Sequence, residues 1–260
     1  MHAIIRKTVT AASLIALAGH GLADDIEATP ELERVQQACQ TADRHDSFVL
    51  AISWQPGFCE YKAGSAAQDK PECVAMAQGD LVVHNLTLHG LWPNRKSCGT
   101  QYGNCRSTPL KLSAATIERV RPWMPNFYYG TEFGRYEWKK HGSCQTALDD
   151  DAYFRKAVAA VELLNDSEVG RTVRRSVGRS FQRQDLIAAF ESIQPQAGNS
   201  VTLLCSGRQL YEMRVKLPRD FRVDKGLKGL IGKRPQPMGQ RHECPDGPIE
   251  VEASGMPTVH

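Results

Sequence analysis

The chain has no marked excess of charge of either sign, no internal repeat, no low-complexity linker and, past residue 23, no long apolar run. Each absence removes a class of protein. A transmembrane helix needs roughly 20 consecutive apolar residues, so nothing downstream of residue 23 reads as a membrane span. With 32 Lys and Arg against 29 Asp and Glu, no broad basic face is available to a polyanion, and any binding of nucleic acid has to come from a local cleft. Neither Cys-x-x-Cys nor His-Glu-x-x-His occurs, which removes the common zinc and dithiol-redox motifs.

What is there begins with a processing signal. Arg6 and Lys7 precede an apolar, small-residue run from Val9 to Ala18, and Gly21-Leu22-Ala23 offers a small-residue cleavage site; this pattern predicts a secretory signal over residues 1–23 and a periplasmic or secreted protein. Removing Arg6 and Lys7 brings the charge of residues 24–260 close to zero. That stretch has a length that one domain with a sizeable core can occupy, and it is read as one domain. The eight cysteines, Cys39, Cys59, Cys73, Cys98, Cys105, Cys144, Cys205 and Cys244, form an even set in an exported chain, which argues for disulfides over metal ligands. Eight thiols allow on the order of a hundred pairings. The pairs expected here are Cys59 with Cys73, Cys205 with Cys244, and Cys144 with either Cys98 or Cys105.

Local patterning outlines the elements. Ser47–Trp54 is apolar and β-leaning and is followed by turn residues, so it predicts a buried strand; residues 61–80 hold no period and read as a loop. Leu81–Leu88 reads as a second strand, with Val83, Asn85, Thr87 and His89 on one face. Residues 94–109 form a long loop, Ser113 an N-cap for a helix through Ile117 and Val120, and Tyr136–Gly142 a short helix ended by Gly142. Asp149–Asp151 cap a helix over Tyr153–Leu164, Gln184–Ile193 form another, and Val201–Cys205 with Gln209–Leu217 form a hairpin. Strands at both ends of a helix-rich middle give an α+β fold.

Two segments carry chemistry: Leu88-His89-Gly90-Leu91-Trp92-Pro93-Asn94 and Glu137-Trp138-Lys139-Lys140-His141-Gly142-Ser143-Cys144. Two histidines, a glutamate and a lysine in cysteine-bracketed surroundings suit metal-free proton transfer at a phosphodiester, because imidazole titrates near neutral pH unaided. On a helix Glu137, Lys140 and His141 share one face, while Trp138 turns to the core. Taken singly, the trio is an ordinary salt-bridged helix face and His89 a hydrogen-bonded structural histidine. Joint occurrence favours a site. His84 is assigned to a surface or structural role, the cluster Arg171, Arg174, Arg175, Arg179 and Arg183 to a solvated helix face or to steering of RNA, and His45, His242 and His260 have no evident partner.

The pair Leu-His-Gly-Leu-Trp-Pro at 88–93 and Glu-Trp-x-Lys-His-Gly-x-Cys at 137–144 resembles the two active-site segments of the ribonuclease T2 family, its exported bacterial branch above all. Likeness extends over Phe48–Cys59, Asp151–Phe154 and Val201–Cys205. The resemblance implies a central antiparallel β-sheet flanked by several α-helices and held by disulfides. It implies an endoribonuclease that cleaves single-stranded RNA by transphosphorylation through a 2′,3′-cyclic phosphate to 3′-phosphate ends, with no cofactor, no metal, no action on DNA and no membrane partner, as a monomer of low base specificity. His89 and His141 would be acid and base; in family terms His141 is the usual base of the first step. Lys140 and Glu137 would stabilise charge on the phosphate. Where many relatives carry a histidine before the glutamate, assigned to phosphate binding, this chain has Tyr136, which brings a hydroxyl but no positive charge. Trp92 would stack on a base, with Asn94 and Tyr102 as further base contacts. Two other readings compete: a non-catalytic RNA-binding relative, and a zinc hydrolase with His89, Glu137 and His141 as ligands, against which the cation of Lys140 counts.

Overall fold

A computed structural model describes residues 30–129, 131–239 and 243–253; the expected signal segment and the histidines His242 and His260 lie outside them. Helices α1 (Pro30–Cys39), α2 (Gln55–Gly57, a single turn), α3 (Pro71–Ala77), α4 (Ala114–Val120), α5 (Pro125–Tyr129), α6 (Thr131–Lys140), α7 (Asp150–Asn165), α8 (Glu168–Arg175), α9 (Arg183–Glu191) and α10 (Gly226–Ile231) surround strands β1 (Ser47–Ser53), β2 (Thr87–Asn94), β3 (Arg179–Gln182), β4 (Val201–Ser206), β5 (Gln209–Pro218) and β6 (Pro248–Val251). None of the described helices is long and apolar enough to cross a membrane.

The sheet is built around β1, which pairs antiparallel with β2 on one side and β5 on the other. β4 forms the expected hairpin with β5, and β6 meets β5 in parallel at Gln209 and Glu250 and carries β3 antiparallel. The architecture is thus α+β with a mainly antiparallel central sheet. Alternation puts Leu50 and Ile52 of β1 and Met213 and Val215 of β5 into the core, where Leu88 and Leu91 of β2 and Phe154 and Val161 of α7 also pack. Ala51 and Ser53 of β1 and Glu212 and Arg214 of β5 occupy the alternate positions, whose face carries the site.

Capping explains where the helices start. Ser113 accepts from Thr116 N, Asp149 from Ala152 N and Ser167 from Val169 N, and Asp150 and Asp151 complement the positive end of α7. Four disulfides join Cys39–Cys98, Cys59–Cys73, Cys105–Cys144 and Cys205–Cys244. Of the two partners left open for Cys144 the fold selects Cys105, since Cys98 is taken by Cys39.

Three sequence expectations need correction. Residues 61–80 are not a loop: a π-turn at Phe58–Lys62, a 3₁₀ stretch at Gly64–Asp69 and α3 fill the segment, with Pro71 opening α3. Polar composition hid these single turns, which are too short to show a period. The strand expected at Leu81–Leu88 begins only at Thr87 and runs on through the motif to Asn94. Before it, side chains replace the ladder: Asn165 Oδ1 accepts from Leu86 N, and Asn85 Nδ2 donates to Pro122 O. The helix expected at Tyr136–Gly142 starts earlier, at Thr131, and ends at Lys140, with Gly142 inside a following 3₁₀ turn.

Leu50 is fully buried and its backbone faces Leu91 and Val215 on the flanking strands. Leu50→Ala is expected to cost about 2–5 kcal/mol of stability through lost burial and a residual cavity. Urea unfolding would show a lower midpoint with an unchanged slope.

Candidate active site

The register of β2 against β1 slips at the motif: Ala51 faces Gly90, but Ile52 faces Leu88, so His89 is an extra, bulged residue. Strict alternation would put His89 and Trp92, three residues apart, on opposite faces. The bulge brings them to one face, with ring centroids 5.1 Å apart, while Leu88 and Leu91 both stay in the core.

Above this face lies the C-terminal half of α6. Glu137, almost fully buried, accepts from Trp92 Nε1 at 2.8 Å and stands 3.9 Å from His89 Nε2. Its approach requires Gly90, where a Cβ would lie 2.1 Å from Glu137 Oε2 and 2.4 Å from Trp92 Nε1. His141 N still donates to Glu137 O, closing the last turn, and the buried imidazole stacks on Trp92 at 5.1 Å with planes 25° apart. Because both imidazoles touch the same indole, their centroids are at most about twice that spacing apart. The turn beyond α6 is held by the preceding loop: Asn104 N donates to Lys140 O, Arg106 donates to Ser143 O and Gln145 O, and Cys105–Cys144 joins the two stretches.

Lys140 and Tyr136 form their own pair. Lys140 Nζ donates to the Tyr136 hydroxyl at 2.8 Å, and Tyr136 is half exposed beside a cleft of about 560 Å³ that also receives His89, Phe133, Lys70 and Glu72. The helix face of Glu137, Lys140 and His141 is therefore divided, with Glu137 and His141 turned inward to Trp92 and Lys140 outward. Trp138 is buried as expected. Asn94, two residues past Trp92 on β2, donates to Ser47 Oγ at 3.3 Å.

Tyr102 is not a base contact. It is buried, and its hydroxyl donates to Thr41 O and accepts from Arg44 N, which leaves it no access to a ligand. Four of the five clustered arginines have structural partners: Arg171 and Arg175 bind Glu168, Arg174 binds Asn165, and Arg183 binds Asp246, while Arg179 is exposed on β3. His84 is exposed, ahead of the strand, and His45 is buried with its ring edge on Phe48.

One residue escaped the sequence reading. Glu212 on β5, nearly fully buried, meets His89 Nδ1 at 2.5 Å and accepts from Arg214 Nε at 2.6 Å. Its sequence signal was weak: it is one of three charged residues, with Arg214 and Lys216, at alternate positions of the strand-forming run Gln209–Leu217.

The two histidines sit in opposite electrostatic settings. Burial disfavours charge on His89, but the hydrogen bond and negative charge of Glu212, with Glu137 behind it, carry its pKa above the ordinary histidine value. Burial pushes His141 down to about 3, assisted by the positive charges of Lys140 and His89. Burial raises Glu137, opposed by His89, the Trp92 hydrogen bond and Lys140. For Glu212 burial pulls upward but is outweighed by His89 and Arg214, which keep the carboxyl ionised. Among the described residues no three His, Cys, Asp or Glu side chains are grouped to hold a metal ion.

Two outcomes are expected of the free protein. Gly90→Ala should separate Trp92 from Glu137, changing the near-ultraviolet dichroism of the indole and costing about 1–3 kcal/mol through overpacking. His141 should contribute a pH-dependent stability. In the unfolded chain it protonates near 6.5, but in the fold only near 3, so between these values the unfolded state holds the extra proton. Stability from this residue is present above that window and is lost as pH falls through it. Urea unfolding across the window should show a shallower pH slope for His141→Gln than for the unsubstituted protein.

Comparison with known proteins identifies the family. The model of the Ribonuclease T2 family matches residues 45–228. Ribonuclease I of Escherichia coli K12 is 30% identical over 213 residues, covering 71% of this chain and 79% of the relative, and Ribonuclease 1 of Arabidopsis thaliana is 23% identical, covering 77% and 85%. Among solved structures, RNase NT with 5′-AMP superposes with a TM-score of 0.52 at 19% identity, covering 80% of this chain and 98% of its own; this likeness bears on the fold alone. The matched span holds both motif segments and Glu212, and this chain belongs to the ribonuclease T2 family of endoribonucleases.

Proposed function

We propose that the protein is an exported, metal-independent endoribonuclease that cleaves single-stranded RNA by transphosphorylation, with His141 as the first base and His89 as the first acid. The observation that carries this reading is the pair of imidazoles on one indole in opposed settings, one in contact with carboxylates that raise its pKa and the other buried, which lowers its pKa. General acid–base work at near-neutral pH needs this division.

In the first step neutral His141 accepts the proton of the ribose 2′-hydroxyl, and the 2′-oxygen bonds to phosphorus. A base with so low a pKa gains basicity once the anionic phosphodiester lies beside it, because a nearby negative charge favours the imidazolium. The bond from phosphorus to the 5′-oxygen breaks, and His89 delivers its Nε2 proton to that oxygen. A 2′,3′-cyclic phosphate results. Water then opens it with the roles reversed: His89 takes the water proton, His141 protonates the 2′-oxygen, and a 3′-phosphate is left. Lys140 supplies positive charge to the non-bridging oxygens. Glu137, its pKa raised by burial, donates a hydrogen bond to them when protonated. Trp92 and Asn94 take up a base by stacking and edge contact, and the Tyr136 hydroxyl, already bound to Lys140, stands in for the family's frequent histidine. The apolar run before residue 23 and four disulfides support export. Residues 24–260 act as one domain, as a monomer.

Purified protein incubated with RNA and with matched DNA in excess EDTA tests the reading. RNA should be cleaved to 2′,3′-cyclic and then 3′-phosphate ends and DNA left intact, and His89→Ala and His141→Ala should each lose about 10²–10⁴-fold in rate. Cleavage of DNA, loss of activity to the chelator, or full activity in either variant defeats it. An inert unsubstituted protein that still retains RNA would favour a binding relative instead.

A further inference from the structure

We propose that Glu212 is the positioning residue that makes His89 a proton donor: its carboxylate engages Nδ1–H and leaves Nε2–H as the free edge of the ring. The inference rests on the reading of His89 as the acid.

Geometry carries it. In the sheet, Glu212 faces Ser53 on β1, and Ser53 faces Thr87 on β2, so Glu212 lies across an intervening strand from the bulged histidine. The residues of β1 beneath this path are Ser53 and Ala51, small enough for a glutamate to pass over them to His89. The bulge completes the contact by turning the imidazole onto this face, and Glu212 Oε2 meets Nδ1 at 2.5 Å. The second carboxylate oxygen is used as well, accepting from Arg214 Nε, whose guanidinium lies 5.2 Å from the centre of the Trp92 ring. A buried carboxylate stays ionised only with such partners. The free nitrogen of His89 faces Glu137 Oε1 at 3.9 Å, on the side where His141 stacks against Trp92.

The charged groups facing His89 are few. Glu212 and Arg214 come from β5 and Glu137 from α6; His141 and Lys140 lie at the end of α6; Asp69, Lys70, Glu72 and Glu132 line the adjoining cleft. Among the described residues, Glu212 alone is in hydrogen-bond contact with the ring. A neutral glutamine there would still accept from Nδ1–H and so preserve the ring's orientation, but would withdraw the charge that stabilises the imidazolium.

Glu212→Gln separates these effects. In the free, full-length protein, nitrogen-15 NMR should show His89 of the unsubstituted chain as the Nδ1–H tautomer when neutral, and titrating above an ordinary histidine. In Glu212→Gln the midpoint should fall by about 1–3 units, the size expected for loss of an adjacent opposite charge. The alkaline limb of kcat/KM for RNA cleavage should move down with it, so that activity is reduced tenfold or more above the new midpoint and recovers on acidification. Recovery on acidification is not expected of a merely structural lesion. Arg214→Gln, which removes a positive charge from the same cluster, should move both readouts in the opposite direction, and this second variant decides the matter should Glu212→Gln not fold. An unmoved His89 titration in whichever variant folds would falsify the assignment. If the titrations shift as stated but the unsubstituted protein fails to cleave RNA, the carboxylate–histidine pair stands and the proposed function falls.

Discussion

The site depends on one irregularity, the extra residue that β2 carries opposite β1 at His89. A regular strand would send His89 and Trp92 to opposite faces, one into the core and one away from it. With the bulge, leucines on either side of the Gly90 position both enter the core while the histidine and the tryptophan share the opposite face. Gly90 completes the device, because any side chain there would occupy the space of the Glu137 carboxylate and the Trp92 nitrogen. Sheet, indole and helix α6 are thereby locked through one hydrogen bond, Trp92 Nε1 to Glu137.

Around that lock the fold distributes charge unevenly. β5 brings a buried Glu212 and its partner Arg214 to one edge of His89, and α6 brings Glu137 to the other. His141, one residue beyond the helix, receives burial, a lysine and no carboxylate contact. Two residues of the same type therefore have pKa values shifted in opposite directions within a short distance. Disulfide Cys105–Cys144 and the backbone contacts of the preceding loop fix the turn that carries His141, so its position does not rest on the end of a short helix alone.

Much of this was legible in the chain. The buried strand Ser47–Ser53, the β4–β5 hairpin and the caps Ser113 and Asp149 follow from apolar runs, turn residues and side-chain acceptors that act within a few positions. Both motif histidines and Glu137 meet around the Trp92 indole, and Trp138 lies in the core. Where reading failed, a long-range partner decided the outcome. Leu81–Leu86 have strand-forming residues but find Asn165 and Pro122 instead of a neighbouring strand, and Tyr102, aromatic and next to the motif in sequence, is captured by backbone groups of residues 41 and 44.

Sequence by itself determined which chemistry is present: two imidazoles, a carboxyl and an amine in two segments, with cysteines to bracket them. Tertiary structure decided which way each histidine's pKa moves and what each faces. A pKa is set by burial and by charges within a few ångströms, and the carboxylate in closest contact with His89, that of Glu212, lies more than a hundred residues away in the chain. Only the pairing of β5 with β1, and of β1 with a bulged β2, brings them together.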